Sequence, residues 1–243
     1  MSLDDFIANI SEADLKKLNE EFYKKQNKIP TYQYSKIKFN DLKSLVTIQR
    51  KINHAAFETW FQPLDINTET NLFLQNLIND NIDLIENYNE EDLKIKFLSP
   101  ILNRIHFKSI KHQLRDFYEL PLHYKTEHFI FNGTADFAVA KGLFEGETPY
   151  FFIQEFKKGH SDGFPEPQLL AELITAVELN QWDSIKGAYI RGSLWHFVIL
   201  ERLAKHDYRY FVSHNFDSTK INDLTAIYNN LLFIKHEILD LTR

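Results

Sequence analysis

Tyr150-Phe151-Phe152-Ile153-Gln154-Glu155-Phe156-Lys157 is an aromatic and aliphatic run that ends on two charges. Such a composition favours a strand. Along a strand alternate side chains share a face, so Glu155 and Lys157 project side by side while Phe156 turns into a core. Acid, any residue, lysine also occurs at Asp14-Leu15-Lys16, Asp41-Leu42-Lys43 and Asp92-Leu93-Lys94. Those three lie in helical spacing and read as solvated surface. Only the fourth closes a strand.

Outward from this strand, residues 117–124 and 128–140 carry the same aromatic and branched character, and Gly142 to Gly146 break the last pair. Three consecutive antiparallel strands are expected. Asp136, in Gly133-Thr134-Ala135-Asp136-Phe137, then lies on the strand beside Glu155. Two carboxylates so placed make a hard, oxygen-rich pocket that suits Mg²⁺ or Mn²⁺. No histidine pair at ligand spacing recommends zinc. Beside a metal-bound water Lys157 can orient the nucleophile and balance developing negative charge. The plain alternative is an exposed Asp and a Glu–Lys ion pair on a sheet face.

Downstream, Pro165-Glu166-Pro167 opens a helix over 168–179. Strands over 187–191 and 194–200 follow, joined by Gly192-Ser193, then a strand over 208–213 and an amphipathic helix over 223–241. Upstream, Asn89-Glu90-Glu91-Asp92 starts a capped, acid-rich helix. All seven glycines lie between Gly133 and Gly192. Segments 12–25, 41–61 and 71–87 have apolar residues at helical spacing, punctuated by Pro30 and Pro63. The expected organisation is a helical N-terminal region, 1–88, followed by an α/β domain, 89–243, of core order α-β-β-β-α-β-β.

Composition limits the function. A 44% hydrophobic share over 243 residues supplies a real core. No apolar run approaches the roughly 20 residues of a membrane span. The acidic start at Asp4-Asp5 is unlike a secretory signal. The chain has no cysteine, which removes disulfides, thiolate nucleophiles and Cys-ligated metals. A cytoplasmic location without membrane contact is expected. The net charge of −6 argues against unaided tight binding to nucleic acid, so a homodimer or a partner subunit is expected to supply contacts. One basic stretch stands out, with Arg104, His106, Lys108, Lys111, His112 and Arg115 before the first acid at Asp116. It reads as a solvated helix end and loop in preference to a phosphate-facing surface.

From Asp136, Glu155-Phe156-Lys157, the Glu90/Glu91 helix and Gln168, residues 88–240 resemble the PD-(D/E)XK nuclease superfamily. Gly192-Ser193-Leu194-Trp195-His196-Phe197 and the last helix are similar to the N-terminal nuclease domain of type I restriction subunits. The resemblance implies a restriction-endonuclease-like mixed sheet flanked by helices. It implies a Mg²⁺- or Mn²⁺-dependent hydrolase of phosphodiester bonds, with DNA as the expected nucleic-acid partner. Asp136 and Glu155 are then metal ligands and Lys157 the group that positions water. An acid of the first helix joins the metal, Glu91 in preference to Glu90 because Glu91 shares a stripe with Ile95, Leu98 and Leu102. Gln168, one turn into its helix and four residues before Glu172, holds the site or a phosphate. A translocase domain is missing from the pattern, and the N-terminal region lies outside it.

Two other functions compete. The same fold can act as a catalytically silent binding or assembly module. Gly159-His160-Ser161-Asp162-Gly163 matches a nucleophile elbow, which suggests a serine hydrolase using Ser161. Against the latter, residues 164–167 separate the pattern from its helix, the preceding strands read as antiparallel, and no glycine run offers an oxyanion hole.

Overall fold

A computed structural model describes residues 10–25, 29–159 and 164–242. The first elements are α1 (Glu12–Lys25), β1 (Thr31–Gln33), α2 (Phe39–Leu45), β2 (Thr47–Arg50) and α3 (Thr68–Asn81). Helix α4 is built from three consecutive pieces, Glu90–Asp92, a π-helical Leu93–Leu98 and Ser99–Ile105. Then come β3 (Leu114–Lys125), β4 (Ile130–Lys141), β5 (Glu147–Lys157), α5 (Pro165–Asn180) and β6 (Ser184–Arg191). The chain closes with β7 (Leu194–Ala204), β8 (Asp207–Val212), β9 (Phe216–Asp217) and α6 (Ile221–Leu241).

The molecule is a mixed α/β structure around one mixed sheet. β3, β4 and β5 pair antiparallel, and α5 crosses over so that β6 lies parallel to β5. β7 and β8 continue antiparallel. The centres of β4 and β5 are buried on both faces, which is why their sequence runs apolar without alternating. One face packs Phe137, Phe152 and Phe197 against α3, α4 and α6. The other packs Ala138, Ile153 and Tyr189 against α5. Residues of α5 are buried from Pro165 to Glu178, so this helix is enclosed rather than amphipathic.

The expectation of helices alone before residue 89 is corrected. β1 lies parallel to β4, with Thr31 opposite Ile130, and β2 lies parallel to β8, with Thr47 opposite Asp207. The helical spacing read over 41–61 breaks after α2, because Val46 and Ile48 are buried in extended chain. Upstream residues also complete both cores. Trp60 packs edge-on to Phe152 and Phe197 and donates its indole N–H to Asn230 O at 2.9 Å. On the other face the Tyr34 and Thr175 hydroxyls share a hydrogen bond of 2.8 Å. Among the described residues no helix is long and apolar enough to cross a membrane.

Candidate functional site

Asp136 and Glu155 are brought together by the β4–β5 register, in which Phe137 faces Gln154. Asp136 accepts a hydrogen bond from the Phe156 backbone N–H at 2.7 Å, which fixes its carboxylate beside the end of β5. Two residues on, the Lys157 ammonium donates to Glu155 Oε1 at 2.7 Å. It also lies 3.5 Å from Glu90 Oε1, at the start of α4. Glu155 is 0% exposed and Asp136 8%. From α5, Gln168 Nε2 donates to Glu172 Oε1 at 3.2 Å, and Glu172 is 0% exposed.

Electrostatics bind these groups into one unit. Burial, then the neighbouring Glu172 and Asp136 charges, hold the Glu155 carboxyl well above its ordinary range, against the pull of Lys157. Glu172 is pushed up by burial and by Asp136, with Gln168 opposing. Asp136 is raised by burial, partly offset by the Phe156 N–H and Lys157. Burial alone would depress the Lys157 ammonium, but Glu155, Asp136 and Glu90 together keep it above its ordinary value. Negative groups thus outnumber the nearby cations in a largely buried site. Such an excess favours a proton or a bound cation.

Two oxygens state the same imbalance. Glu155 Oε2 and Glu172 Oε2 are buried and have no hydrogen-bond partner among the described residues. Their donor set, carboxylate oxygens alone, suits a hard divalent cation. Among the described residues no group of three or more His, Cys, Asp or Glu side chains forms a ready metal cage. Any ion here would share its coordination with water or substrate oxygens.

Asp136, Glu155 and Lys157 are brought together at the end of β5, and Gln168 touches Glu172, whose charge acts on Glu155. Glu91 does not join them. Its side chain is 72% exposed and lies 3.7 Å from Lys94, and Glu90 takes the position facing Lys157. Glu90 lies three and four residues before the buried Leu93 and Lys94, whereas Glu91 lies four before Ile95, which is 64% exposed; the π-helical turn at Leu93–Leu98 adds to the difference. A π turn closes i to i+5 and admits one extra residue, which rotates everything before it relative to an α-helical count. The buried face runs through Leu93, Lys94, Phe97, Leu98, Ile101 and Leu102, and Ile95 points outward. Glu172 is visible in the sequence only as the helical neighbour of Gln168; its complete burial beside Glu155 has no local signature.

Lys94 extends the charged belt. It is buried, bonds Glu119, and its charge acts on Asp136. Glu119 adopts a left-handed backbone (φ 52°) opposite Asp136, where the β3–β4 ladder skips one pairing between Tyr118–Phe137 and Leu120–Ala135. A non-glycine residue there costs on the order of 1–2 kcal/mol. The conformation turns Glu119 out of the ladder and towards Lys94.

The basic stretch is partly spent on structure. Arg104 pairs with Glu69 at 2.9 Å, Arg115 donates to Asp116 O and Leu143 O, and His112 meets Thr242 O at 3.1 Å. Ser161 lies outside the described residues. Comparison of the chain with protein-family models and with curated protein sequences found no match.

Proposed function

We propose that the protein is a Mg²⁺- or Mn²⁺-dependent nuclease that hydrolyses phosphodiester bonds, with DNA as its substrate. One observation carries the proposal. Asp136, Glu155 and Lys157 converge at the end of β5, with two buried carboxylate oxygens, on Glu155 and Glu172, that no group among the described residues satisfies. The order α4-β3-β4-β5-α5-β6-β7, with β5 and β6 parallel across α5, supports reading the core as restriction-endonuclease-like. The fold alone would not indicate chemistry; the site does.

Asp136 and Glu155 would hold the ion, with Glu172 and Glu90 next to them. A bound Mg²⁺ would supply Lewis-acid polarisation of the scissile phosphate and a more acidic water. Mg²⁺ commonly takes one or two carboxylates and completes its shell with water and substrate phosphate, which fits a site lacking a preset cage. Lys157 hydrogen-bonds the attacking water and offsets charge building on the phosphoryl oxygens. The water oxygen would bond to phosphorus as the bond to the sugar oxygen breaks; the water's proton would pass to solvent, and the leaving sugar oxygen would take one up from solvent to depart as a hydroxyl. Gln168 keeps Glu172 oriented.

Losing one such group removes several kcal/mol of transition-state stabilisation, on the order of 10² to 10³ in rate. Asp136→Ala, Glu155→Ala and Lys157→Ala should each abolish Mg²⁺-dependent cleavage while the far-ultraviolet circular dichroism stays native. Full activity in Lys157→Ala removes the role given to that residue. A silent binding module is favoured by one fact, the missing three-ligand cage among the described residues. Calorimetric Mg²⁺ titration beside cleavage of several DNA and RNA forms separates the two: binding without turnover selects the module.

A further inference from the structure

β5 and β6 are parallel, β7 reverses the direction, β8 restores it, and β2 follows β8. The carboxyl ends of β5, β6, β8 and β2 therefore share one edge of the sheet, where Lys157, Arg191 and Arg50 stand. In sheets with helical crossovers this edge is where ligands gather. At its far end lies a cleft of about 520 Å³ whose walls include Phe39, Lys43, Arg50, Phe164 and Tyr210. Four strand spacings separate its Arg50 from Lys157, roughly 19 Å along the sheet at ~4.8 Å each, while its Phe164 packs on Tyr189 of β6, the strand next to β5.

Its main cation is held in place. Glu166, 1% exposed, accepts hydrogen bonds from the Tyr210 hydroxyl at 2.9 Å and the Tyr189 hydroxyl at 3.2 Å. Arg50 Nη1 lies 3.6 Å from the same carboxylate, yet half of the arginine side chain remains exposed. A buried acid braced by two tyrosines aims the guanidinium without consuming its donors. Lys43 adds a second exposed cation to the cleft. Phe164 is half exposed and lies against Tyr189, with ring centroids 5.8 Å apart. Cations beside an exposed aromatic surface match the two halves of a nucleotide, phosphate and base. Glu166 also sits on α5, two residues before Gln168, so one enclosed helix fixes the cleft relative to the acidic site.

We propose that this cleft binds an unpaired nucleotide of the strand being cut, its phosphate against Arg50 and Lys43 and its base on Phe164. The proposal rests on the nuclease reading and deepens it to a substrate class, single-stranded or locally opened nucleic acid.

The test is fluorescence anisotropy with a labelled single-stranded DNA oligonucleotide and its duplex, without divalent cation, together with Mg²⁺-dependent cleavage of the same DNAs. Phe164→Ala should raise Kd for the single strand about tenfold, in line with loss of one stacked base. Arg50→Gln and Lys43→Gln should each weaken binding and lower the salt dependence of log Kd by about one counter-ion. Lys157→Ala should lose cleavage and keep binding. Phe164→Ala and Lys43→Gln leave Glu166 and its partners intact, so their effects are separable from misfolding. If these variants bind as wild type does while wild type cuts, the cleft proposal falls and the nuclease reading stands. Wild-type protein that neither binds nor cuts any DNA or RNA form overturns both.

Discussion

Glu172→Gln should stabilise the metal-free protein at neutral pH, although it replaces a fully buried residue. Glu172 and Glu155 both have carboxyls raised above the ordinary 4.5 by burial and by neighbouring acids. A group whose folded pKa lies above its unfolded one keeps its proton in the native state after the unfolded chain has released it. Stability is therefore intact below the unfolded value and falls as pH rises towards the folded one. One retained proton costs ~1.4 kcal/mol for each pH unit between the unfolded value and the folded one. The substitution removes one carboxyl and its repulsion on Glu155. The new amide keeps an acceptor for Gln168 and carries no charge in the enclosed site. The two proteins should match near the unfolded carboxyl value, and the variant should gain about 1.4 kcal/mol for each pH unit above it until the folded value is reached. For a chain of this length that is roughly 3–6 °C in Tm per pH unit. Thermal and urea unfolding in EDTA from pH 5 to 8 measures it. Parallel profiles, or a variant less stable at pH 7, refute the charge argument. Added Mn²⁺ should raise the wild-type Tm at pH 8 more than that of the variant.

Other expectations rest on single contacts. Glu90→Gln should lower Mg²⁺-dependent cleavage at least tenfold and Glu91→Gln should not, since only Glu90 faces Lys157; steady-state cleavage of one labelled DNA decides it. Trp60→Ala should cost about 3–5 kcal/mol in denaturant unfolding, because its ring fills the core between Phe152 and Phe197. Gly192→Ala should destabilise by about 1–3 kcal/mol: the backbone is left-handed (φ 59°) and a Cβ would stand 3.0 Å from Gly159 Cα. Urea midpoints at constant slope check it.

What is legible in the sequence is whatever obeys a strict local period. The spacing of two places Glu155 and Lys157 on one face, and the glycine-marked hairpin sets Asp136 beside them. Gln168 follows from a helix start that two prolines announce. Counting 3.6 residues per turn through Leu93–Leu98 favours Glu91, but the chain forms a π turn there and Glu90 takes its place. β1 and β2 are hidden for another reason. Strands of three and four residues carry too few side chains for alternation, and their partners lie far along the chain, at Ile130 and Asp207. Glu166 reads as a helix-opening acid, since only the tertiary fold brings Tyr189, Tyr210 and Arg50 to it.

Segment 31–50 pairs with β4 at one end and β8 at the other, and between them lies over α5 through Tyr34, Ile37 and Leu42. Order of synthesis and order of docking are thus opposed. The ribosome delivers this span before its partners, and both of its landing places are made at least 80 residues later. Contacts so distant in sequence slow folding. β1 meets its partner when β4 emerges, β2 only when β8 does, and the helix carrying Gln168 and Glu172 is sealed only when the span between them closes over it.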